Sequence, residues 1–202
     1  MESTAEFDKN YAVEQLRRSR HPLRRLVRRL YLNNVLNEVS GPTIDFGCGA
    51  GQLLARLPAG SVGLEINPYL VAELRRIGLN VLPYDPDADD FSLREFPTDH
   101  YKTMVIAHVI EHFPNSAQAV RKIWRTCGRL GILKIIVIVP GAKGYRSDKT
   151  HKTFVNQRYL EDQGLLNCEG YAVTKTSYFP INAEGFGEHF TYHEFKIVYE
   201  LA

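Results

Sequence analysis

Short apolar runs alternate with amphipathic segments along the chain beyond Gly41. The pattern predicts strands at 42–46, 61–65, 80–84, 102–107 and 133–139, with helices near 51–57, 69–77 and 116–127. The strands are nearly continuous apolar runs, such as ILKIIVIV, which is typical of parallel strands buried on both faces. We therefore predict a doubly wound, Rossmann-like α/β sheet with helices on both faces.

The pattern changes after Pro140. The polar segment GAKGYRSDKTHKT predicts a loop, followed by a helix near 156–165 and strands near 171–178 and 191–199. The two strand segments alternate or are rich in aromatic residues, and the linker GFGEH between them suits a hairpin. We expect the sheet to end in an antiparallel pair.

The N-terminal segment LRRSRHPLRRLVRRLYL, residues 16–32, contains seven arginines between leucines at helical spacing. It predicts a basic amphipathic helix that begins or is interrupted at Pro22. We expect residues 1–40 to form a helical region that packs on one domain, residues 41–202. The basic face is either a solvated surface or a contact for an anionic substrate, nucleic acid or membrane. Nucleic acid is not the expected partner, because no base-stacking aromatic residues lie between the arginines.

Composition limits the function classes. A chain of 202 residues is long enough for one core and too short for two comfortable domains. It contains 44% apolar and 24% charged residues, without an apolar run of the ~18 residues that a membrane span needs. The N-terminus lacks the apolar core of a signal peptide, so we expect a cytoplasmic protein. Cys48, Cys127 and Cys168 are widely spaced and are expected to be small buried side chains in a reducing compartment.

A glycine-rich segment, DFGCGAG, follows the first predicted strand. It places Gly47, Gly49 and Gly51 at the carboxyl edge of the sheet, where such folds bind ligands. The dinucleotide fingerprint would require glycine at position 52, where this chain has glutamine. A bound pyrophosphate would also face the carboxylate of Asp45, which instead attracts an amino group. The loop therefore favours a positively charged nucleoside over a phosphorylated one.

Acidic residues end the next two predicted strands. Glu65, twenty positions after Asp45, can accept both hydroxyls of a ribose, and Ile66 can pack on a purine face. Asp85 can accept an adenine amino group, or it is a turn residue of the acidic loop PDADD. These positions predict a nucleoside site that spans the first three strands.

Together, DFGCGAG, LEINP and VIAHVIEHF resemble the class I S-adenosylmethionine-dependent methyltransferases, and the resemblance covers roughly residues 40 to 140. It implies a sheet of seven strands, mostly parallel with an antiparallel final strand, and S-adenosylmethionine as the cofactor. It also implies the cofactor-binding residues, which are Asp45, Gly47, Gly49 and Gly51 around the methionine and ribose, Glu65 on the ribose hydroxyls, Ile66 and Asp85 around adenine, and Ala107 and His108 on the opposite side.

Catalysis by such an enzyme requires alignment of the acceptor with an activated methyl group and, for a hydroxyl, removal of a proton. His108 and His112 follow the fourth strand, and His151 lies in the loop after the fifth. We expect His112 or His151 to be the base. The alternative is that His112 hydrogen-bonds the backbone while His108 packs on the cofactor. His108 and His112 share a face if residues 108–112 form a helical turn.

The segment HVIEH also matches the H-x-x-E-H pattern of zinc peptidases. That class requires a long helix and a third ligand, whereas HVIEH follows a buried strand. A divalent ion held by His108, Glu111, His112 and His151 is a second alternative. We expect no bound metal, and we expect His189 and His193 to be surface or core side chains.

A polar loop is expected to cap the acceptor site, with the N-terminal helix closing it. The loop residues are Tyr145, Arg146, Asp148, Lys149, Thr150 and His151. Their polarity favours a hydroxylated or anionic small-molecule acceptor, so the predicted reaction is O-methylation. The alternatives are a nucleic-acid or protein methyltransferase whose substrate crosses the arginine helix, a non-catalytic nucleoside-binding protein, and an oxidoreductase of the same fold.

Overall fold

The computed structural model describes residues 31–202. Residues 31–36 are helical, whereas the rest of the predicted basic helix and residues 1–30 of the predicted N-terminal region lie outside the described residues. None of the helices in the described part is both long and apolar enough to cross a membrane.

The described residues form one eight-stranded sheet with the strand order β3-β2-β1-β4-β5-β8-β7-β6. Strands β1 to β5 are parallel, and β8 lies antiparallel between β5 and β7. This topology confirms the doubly wound, mostly parallel sheet with an antiparallel end. The strands are β1 Thr43–Phe46, β2 Val62–Glu65, β3 Val81–Pro83, β4 Thr103–Ala107, β5 Lys134–Pro140, β6 Asn167–Cys168, β7 Tyr171–Phe179 and β8 Glu194–Leu201.

The predicted count of seven strands is one too low. Strand β6 has only two residues, which pair antiparallel with Tyr171 and Ala172 of β7. Glu169 and Gly170 connect the two strands with φ angles of 52° and 82°, the conformation of a tight hairpin turn. A two-residue strand is too short for any alternation of apolar and polar positions, so the sequence pattern begins only at β7.

The helices that flank the sheet are α1 Pro68–Arg76, α2 Ser116–Leu130, α3 Ala142–Ser147 and α4 Gln157–Asp162. The side chain of Asn67 accepts hydrogen bonds from the backbone N–H groups of Tyr69 and Leu70, which caps α1. Helix α2 ends at Gly131, whose φ is 71°. Both helices confirm the predictions near 69–77 and 116–127.

Two local predictions are wrong. The segment 51–57 forms only a 3₁₀ turn, Leu54–Arg56, because Gly51 has a φ of 69° and Pro58 follows after six residues. Too few residues with helical φ remain between them for an α-helix. The predicted loop after Pro140 contains α3, which begins at Gly141 and is too short to show an amphipathic period.

Alternate side chains of the central strands form two cores. Ile106 and Val137 belong to the larger core, which includes Trp124 of α2. Val105 and Ile136 lie on the other face, where Leu32 and Val35 from helical residues 31–36 are buried with them. The three cysteines are buried and free, as expected. Parallel pairing places the carboxyl ends of β1, β2, β4 and β5 at one edge of the sheet.

Candidate active site

The glycine loop turns sharply after β1. Gly47, Gly49 and Gly51 have φ angles of 76°, 52° and 69°, a region that side-chain-bearing residues rarely adopt. A Cβ atom at Gly47 would lie 2.5 Å from Cγ2 of Val109, which follows β4. The loop backbone therefore lies directly against the segment that follows β4, and glycine is required for this approach.

Asp45, the penultimate residue of β1, is buried beneath this loop. Its Oδ2 atom has no hydrogen-bond partner among residues 31–202. Burial and the nearby Glu65 raise the pKa of Asp45 to about 7, although a hydrogen bond from the Leu54 backbone opposes the shift. A buried carboxylate with an unpaired oxygen suits a ligand that brings a positive charge or a donor. This observation fits a sulfonium nucleoside carrying an amino group and does not fit a pyrophosphate.

Glu65, at the end of β2, holds the glycine loop in place. Its Oε2 accepts a hydrogen bond from the Gly49 N–H at 2.8 Å, and its Oε1 accepts one from the Asn67 N–H at 2.9 Å. Burial raises the pKa of Glu65, while the backbone hydrogen bonds from Asn67, Gly49 and Ile66 oppose the shift. The carboxylate thus joins β1 and β2 at the site, a role that sequence reasoning did not assign to it.

Asp85 follows β3 and forms a turn. Its Oδ1 accepts hydrogen bonds from the backbone N–H groups of Asp87 and Ala88 at 3.0 and 3.4 Å. One oxygen of Asp85 therefore has the role of a turn residue, which was one of the two roles predicted for it. Ile66 and Ala107 are partly buried at the same edge of the sheet.

The segment after β4 does not form the helical turn that would place His108 and His112 on one face. His108 has a φ of 57°, and a 3₁₀ turn begins only at Ile110. The backbone of His108 therefore lies outside the turn that contains Glu111 and His112, although its Nδ1 atom lies 3.5 Å from the Glu111 carboxylate. The H-x-x-E-H helix of a zinc peptidase is absent from this described segment.

Glu111 is fully buried, and neither carboxylate oxygen has a hydrogen-bond partner within the described residues. Its Oε1 lies 3.5 Å from Nδ1 of His108 and 3.9 Å from Nε2 of His151. The backbone carbonyl of Glu111 accepts hydrogen bonds from the N–H groups of Lys152 and Thr153 at 2.8 and 3.0 Å. These bonds fix the loop that contains His151 against the turn that contains His112.

The hydrogen bonds of His112 and His151 determine which ring nitrogen has the lone pair. Thr150 donates its single hydroxyl proton to Asp148 at 2.7 Å, so its oxygen accepts from Nδ1 of His112 at 3.1 Å. Nδ1 of His151 donates to the carbonyl of Tyr145 at 2.9 Å. In the neutral rings, both Nε2 atoms therefore present lone pairs. Burial lowers the pKa of His112, although Glu111 partly opposes the shift.

Glu194 and Tyr31 complete this edge of the sheet, and sequence reasoning missed both. Glu194 pairs with Pro140 in the β5–β8 register and lies 3.0 Å from Nε2 of His108. Burial opposes protonation of His108, but Glu111 and Glu194 outweigh it and raise its pKa well above the ordinary value. The Tyr31 ring lies 6.4 Å from the His108 ring. The sequence predicted a strand near 191–199 but not its pairing with β5, which places Glu194 at this edge.

A cavity of about 290 Å³ lies at the ends of β5, β7 and β8, and none of the candidate site residues lines it. Tyr145 stacks on His151 at 5.5 Å and contacts Phe154 at 5.1 Å, and Phe154 lines the cavity. The buried His193 also lines the cavity, and its Nε2 atom lies 3.0 Å from the carbonyl oxygen of Ile181. His189 is exposed. Those two histidines are thus a core and a surface residue, as expected.

Three of the solved structures that match this fold are methyltransferases of different kinds. A methyltransferase dependent on S-adenosylmethionine from Archaeoglobus fulgidus matches with a TM-score of 0.66 and 17% identity, over 96% of this chain and 100% of that chain. Magnesium protoporphyrin IX methyltransferase from Synechocystis PCC 6803, with bound S-adenosylhomocysteine, matches with a TM-score of 0.66 and 12% identity, over 98% and 97%. The small RNA methyltransferase HEN1 matches with a TM-score of 0.56 and 19% identity, over 86% of this chain and 24% of that chain.

Identities of this size show the shared fold alone. No curated protein matches the chain by sequence. A family model described as a methyltransferase domain matches residues 15–171, which is most of the chain. The chain therefore belongs to this methyltransferase family, which confirms the predicted class I S-adenosylmethionine-dependent methyltransferase.

Proposed function

We propose that this enzyme methylates a hydroxyl group of a small-molecule acceptor. The observation that supports this proposal is the pair of Nε2 lone pairs on His112 and His151, fixed by hydrogen bonds at Nδ1, beside the sheet edge where the cofactor loop lies. A hydroxyl must lose a proton when it is methylated, and a neutral imidazole accepts one near neutral pH.

S-adenosylmethionine is the cofactor of this family, and when bound it supplies an activated methyl group on a sulfonium. The unpaired Oδ2 of Asp45 and the nearby carboxylates of Glu65 and Glu111 favour a ligand with positive charge. We assign the cofactor contacts to Asp45, Gly47, Gly49, Gly51, Glu65, Ile66, Asp85, Ala107 and His108. Glu65 also keeps the loop in its turned conformation through Gly49.

His112 is the better placed of the two candidate bases. When its Nε2 gains a proton, Nδ1 still donates to Thr150, whose hydroxyl donates to the Asp148 carboxylate. These hydrogen bonds connect the positive His112 ring to a carboxylate through Nδ1, whereas Nδ1 of His151 donates to the neutral Tyr145 carbonyl. His151 therefore positions the acceptor and is the alternative base.

We place the acceptor between the histidines and the cavity that Phe154 lines, since Tyr145 contacts both His151 and Phe154. The cavity of about 290 Å³ is at the lower end of the range for small-molecule pockets. We propose that residues 1–40 form the helical region that closes this side, since Leu32 and Val35 are buried against Val105 and Ile136. Tyr31 lies at the start of this buried segment, next to His108.

The test is a screen of hydroxylated and anionic small molecules, with release of S-adenosylhomocysteine as the readout. With the acceptor so found, His112→Ala should lower turnover by about 100-fold, the usual contribution of a general base. His189→Ala is the matched control, because His189 is an exposed histidine outside this cluster. Full turnover in both His112→Ala and His151→Ala would show that these histidines do not take the proton.

A nucleic-acid acceptor is the second candidate, and the seven arginines of residues 16–32 favour it. The small RNA methyltransferase HEN1 shares the fold. Short RNA and DNA oligonucleotides therefore belong in the same screen. If RNA is the acceptor, its affinity should fall steeply with salt and should fall again when Arg24, Arg25, Arg28 and Arg29 are replaced by glutamine.

A further inference from the structure

We propose that Glu111, His112 and His151 bind one divalent transition-metal ion. One ligand atom from each of these residues lies within 4.8 Å of those of the other two. The binding of the ion does not rest on the proposed function, but its link to methyl transfer does. An Nε2 lone pair that binds the ion cannot take a proton, so with the ion bound the two histidines would hold it, and an acceptor hydroxyl on the ion would lose its proton to solvent. Two turns separated by 38 positions meet here and bring together three of the four residues that the sequence suggested for a divalent ion, with His108 outside the group.

The buried carboxylate of Glu111 is the first argument. It is fully buried, and neither of its oxygens has a hydrogen-bond partner in the described part of the chain. A carboxylate in this state is unfavourable unless a positive charge lies beside it. His108 lies 3.5 Å from Glu111 and 3.0 Å from Glu194, so its one positive charge is shared by two carboxylates. A cation between Glu111 and the other two imidazoles would supply the second positive charge.

The second argument is the set of contacts behind the histidines. Histidines that bind metals generally donate their second ring N–H to a carbonyl or a carboxylate, which fixes the ring and its tautomer. His151 does so directly through the Tyr145 carbonyl. His112 does so through the hydroxyl of Thr150, which in turn donates to Asp148. The Nε2 atoms of both rings are left free to bind an ion.

The donor set indicates the kind of ion. Two imidazoles and one carboxylate suit Mn²⁺, Co²⁺ or Zn²⁺ better than Mg²⁺ or Ca²⁺, which prefer oxygen ligands. Three protein ligands also leave coordination positions open. We therefore expect the acceptor to bring one or two neighbouring oxygen atoms, such as adjacent hydroxyl groups, to the ion.

Calorimetry on the full chain, prepared without a polyhistidine tag, tests the site. Titration with Mn²⁺, Co²⁺ and Zn²⁺ should show one ion per chain, with much weaker heats for Mg²⁺. Glu111→Gln and His151→Ala should weaken binding at least tenfold, and Thr150→Val by roughly tenfold through loss of ring orientation. His189→Ala should bind as the unchanged protein does. Circular dichroism establishes that each variant is folded.

Titration with S-adenosylhomocysteine in the presence of a chelator separates the two proposals. If this ligand binds but no transition metal binds at about 1 mM, the metal site is wrong and the imidazoles act as bases without an ion. If a metal binds and the nucleoside does not, the proposed function fails while the site stands. Equal metal affinity in Glu111→Gln, or loss of binding in His189→Ala, also overturns the site.

Discussion

The two halves of the site lie at the same edge of one sheet but are built differently. The centre of the proposed cofactor half is the backbone of one short stretch, residues 45–65, with glycines in left-handed conformations and Glu65 bound to main-chain N–H groups. The acceptor half uses side chains from three distant segments, at 108–112, 148–151 and 194. The first half is therefore a local motif, while the second exists only after the chain has folded. Changes in the cofactor half should affect stability and cofactor affinity, and changes in the acceptor half should affect turnover.

The largest expected effect is on the backbone of the cofactor half. Gly51→Ala places a Cβ atom 2.7 Å from Cδ2 of Leu74 and 2.9 Å from Cδ1 of Leu79, at a φ of 69°. We expect it to lower the free energy of unfolding by about 3 kcal/mol, the sum of left-handed strain and overpacking. Urea denaturation measures this change.

Gly78→Ala is the matched control for that measurement. Gly78 has a φ of 85°, yet a Cβ atom there would meet no described atom within 4 Å. We expect Gly78→Ala to lower the free energy of unfolding by about 1 kcal/mol, from backbone strain alone. Equal losses in the two variants would show that close packing at Gly51 contributes nothing.

The second effect is on cofactor affinity. Glu65→Ala removes the proposed ribose acceptor and the hydrogen-bond acceptor of the Gly49 N–H. Charge-assisted hydrogen bonds of this kind predict a tenfold to hundredfold weaker affinity for S-adenosylhomocysteine, measured by calorimetry. Glu95→Ala, at an exposed position, should leave the affinity unchanged.

His112→Ala should have the opposite pattern. Its affinity for S-adenosylhomocysteine should stay within about twofold of the unchanged protein's, while turnover falls. Loss of nucleoside binding in this variant would show that the two halves of the site are not separable.

The smallest expected effect is a dependence of cofactor affinity on pH. Burial and the nearby Glu65 raise the pKa of Asp45 to about 7, in surroundings that also include Tyr31 and Cys48. Because the ionised carboxylate should bind the ligand's positive charge, affinity for S-adenosylhomocysteine should rise roughly tenfold between about pH 6 and pH 8. Asp45→Asn should be weaker at every pH and should lose this dependence.

The same shift predicts how the stability of the unliganded protein changes with pH. Between about pH 4 and pH 7 the folded protein keeps a proton on Asp45 that the unfolded chain has lost. The free energy of unfolding should therefore fall as pH rises through this range. A flat profile between pH 4 and 7, relative to Asp45→Asn, would contradict the raised pKa.

Most of the sheet could be predicted from the sequence, because strands buried on both faces have almost no polar residues. The bounds of β1 and β4 differ from the predicted ones by one residue at one end, and those of β5 by one residue at both ends. The segment 51–57 was not predictable from its apolar spacing, since the φ of Gly51 overrides it. Strand β6 has two residues and helix α3 has six, too few for an apolar pattern to repeat.

The candidate site also has one part that could be predicted from the sequence and one part that could not. The spacing of Asp45, the glycines and Glu65 was enough to predict their common location, because parallel strands align their carboxyl ends. The contact between Thr150 and His112 was not predictable, since it depends on a loop folding back over 38 positions. The left-handed φ of His108 was not predictable either, because a histidine does not indicate this conformation.

The carbonyl of Glu111 receives two N–H groups from the residues that follow His151. This anchor lies on the main chain, so it does not depend on the side chains of the loop. Arg146 and Ser147 at the end of α3 and Lys149 just after it are exposed. Substrate preference could therefore be varied by randomising these three positions, because the main-chain anchor keeps His151 beside His112.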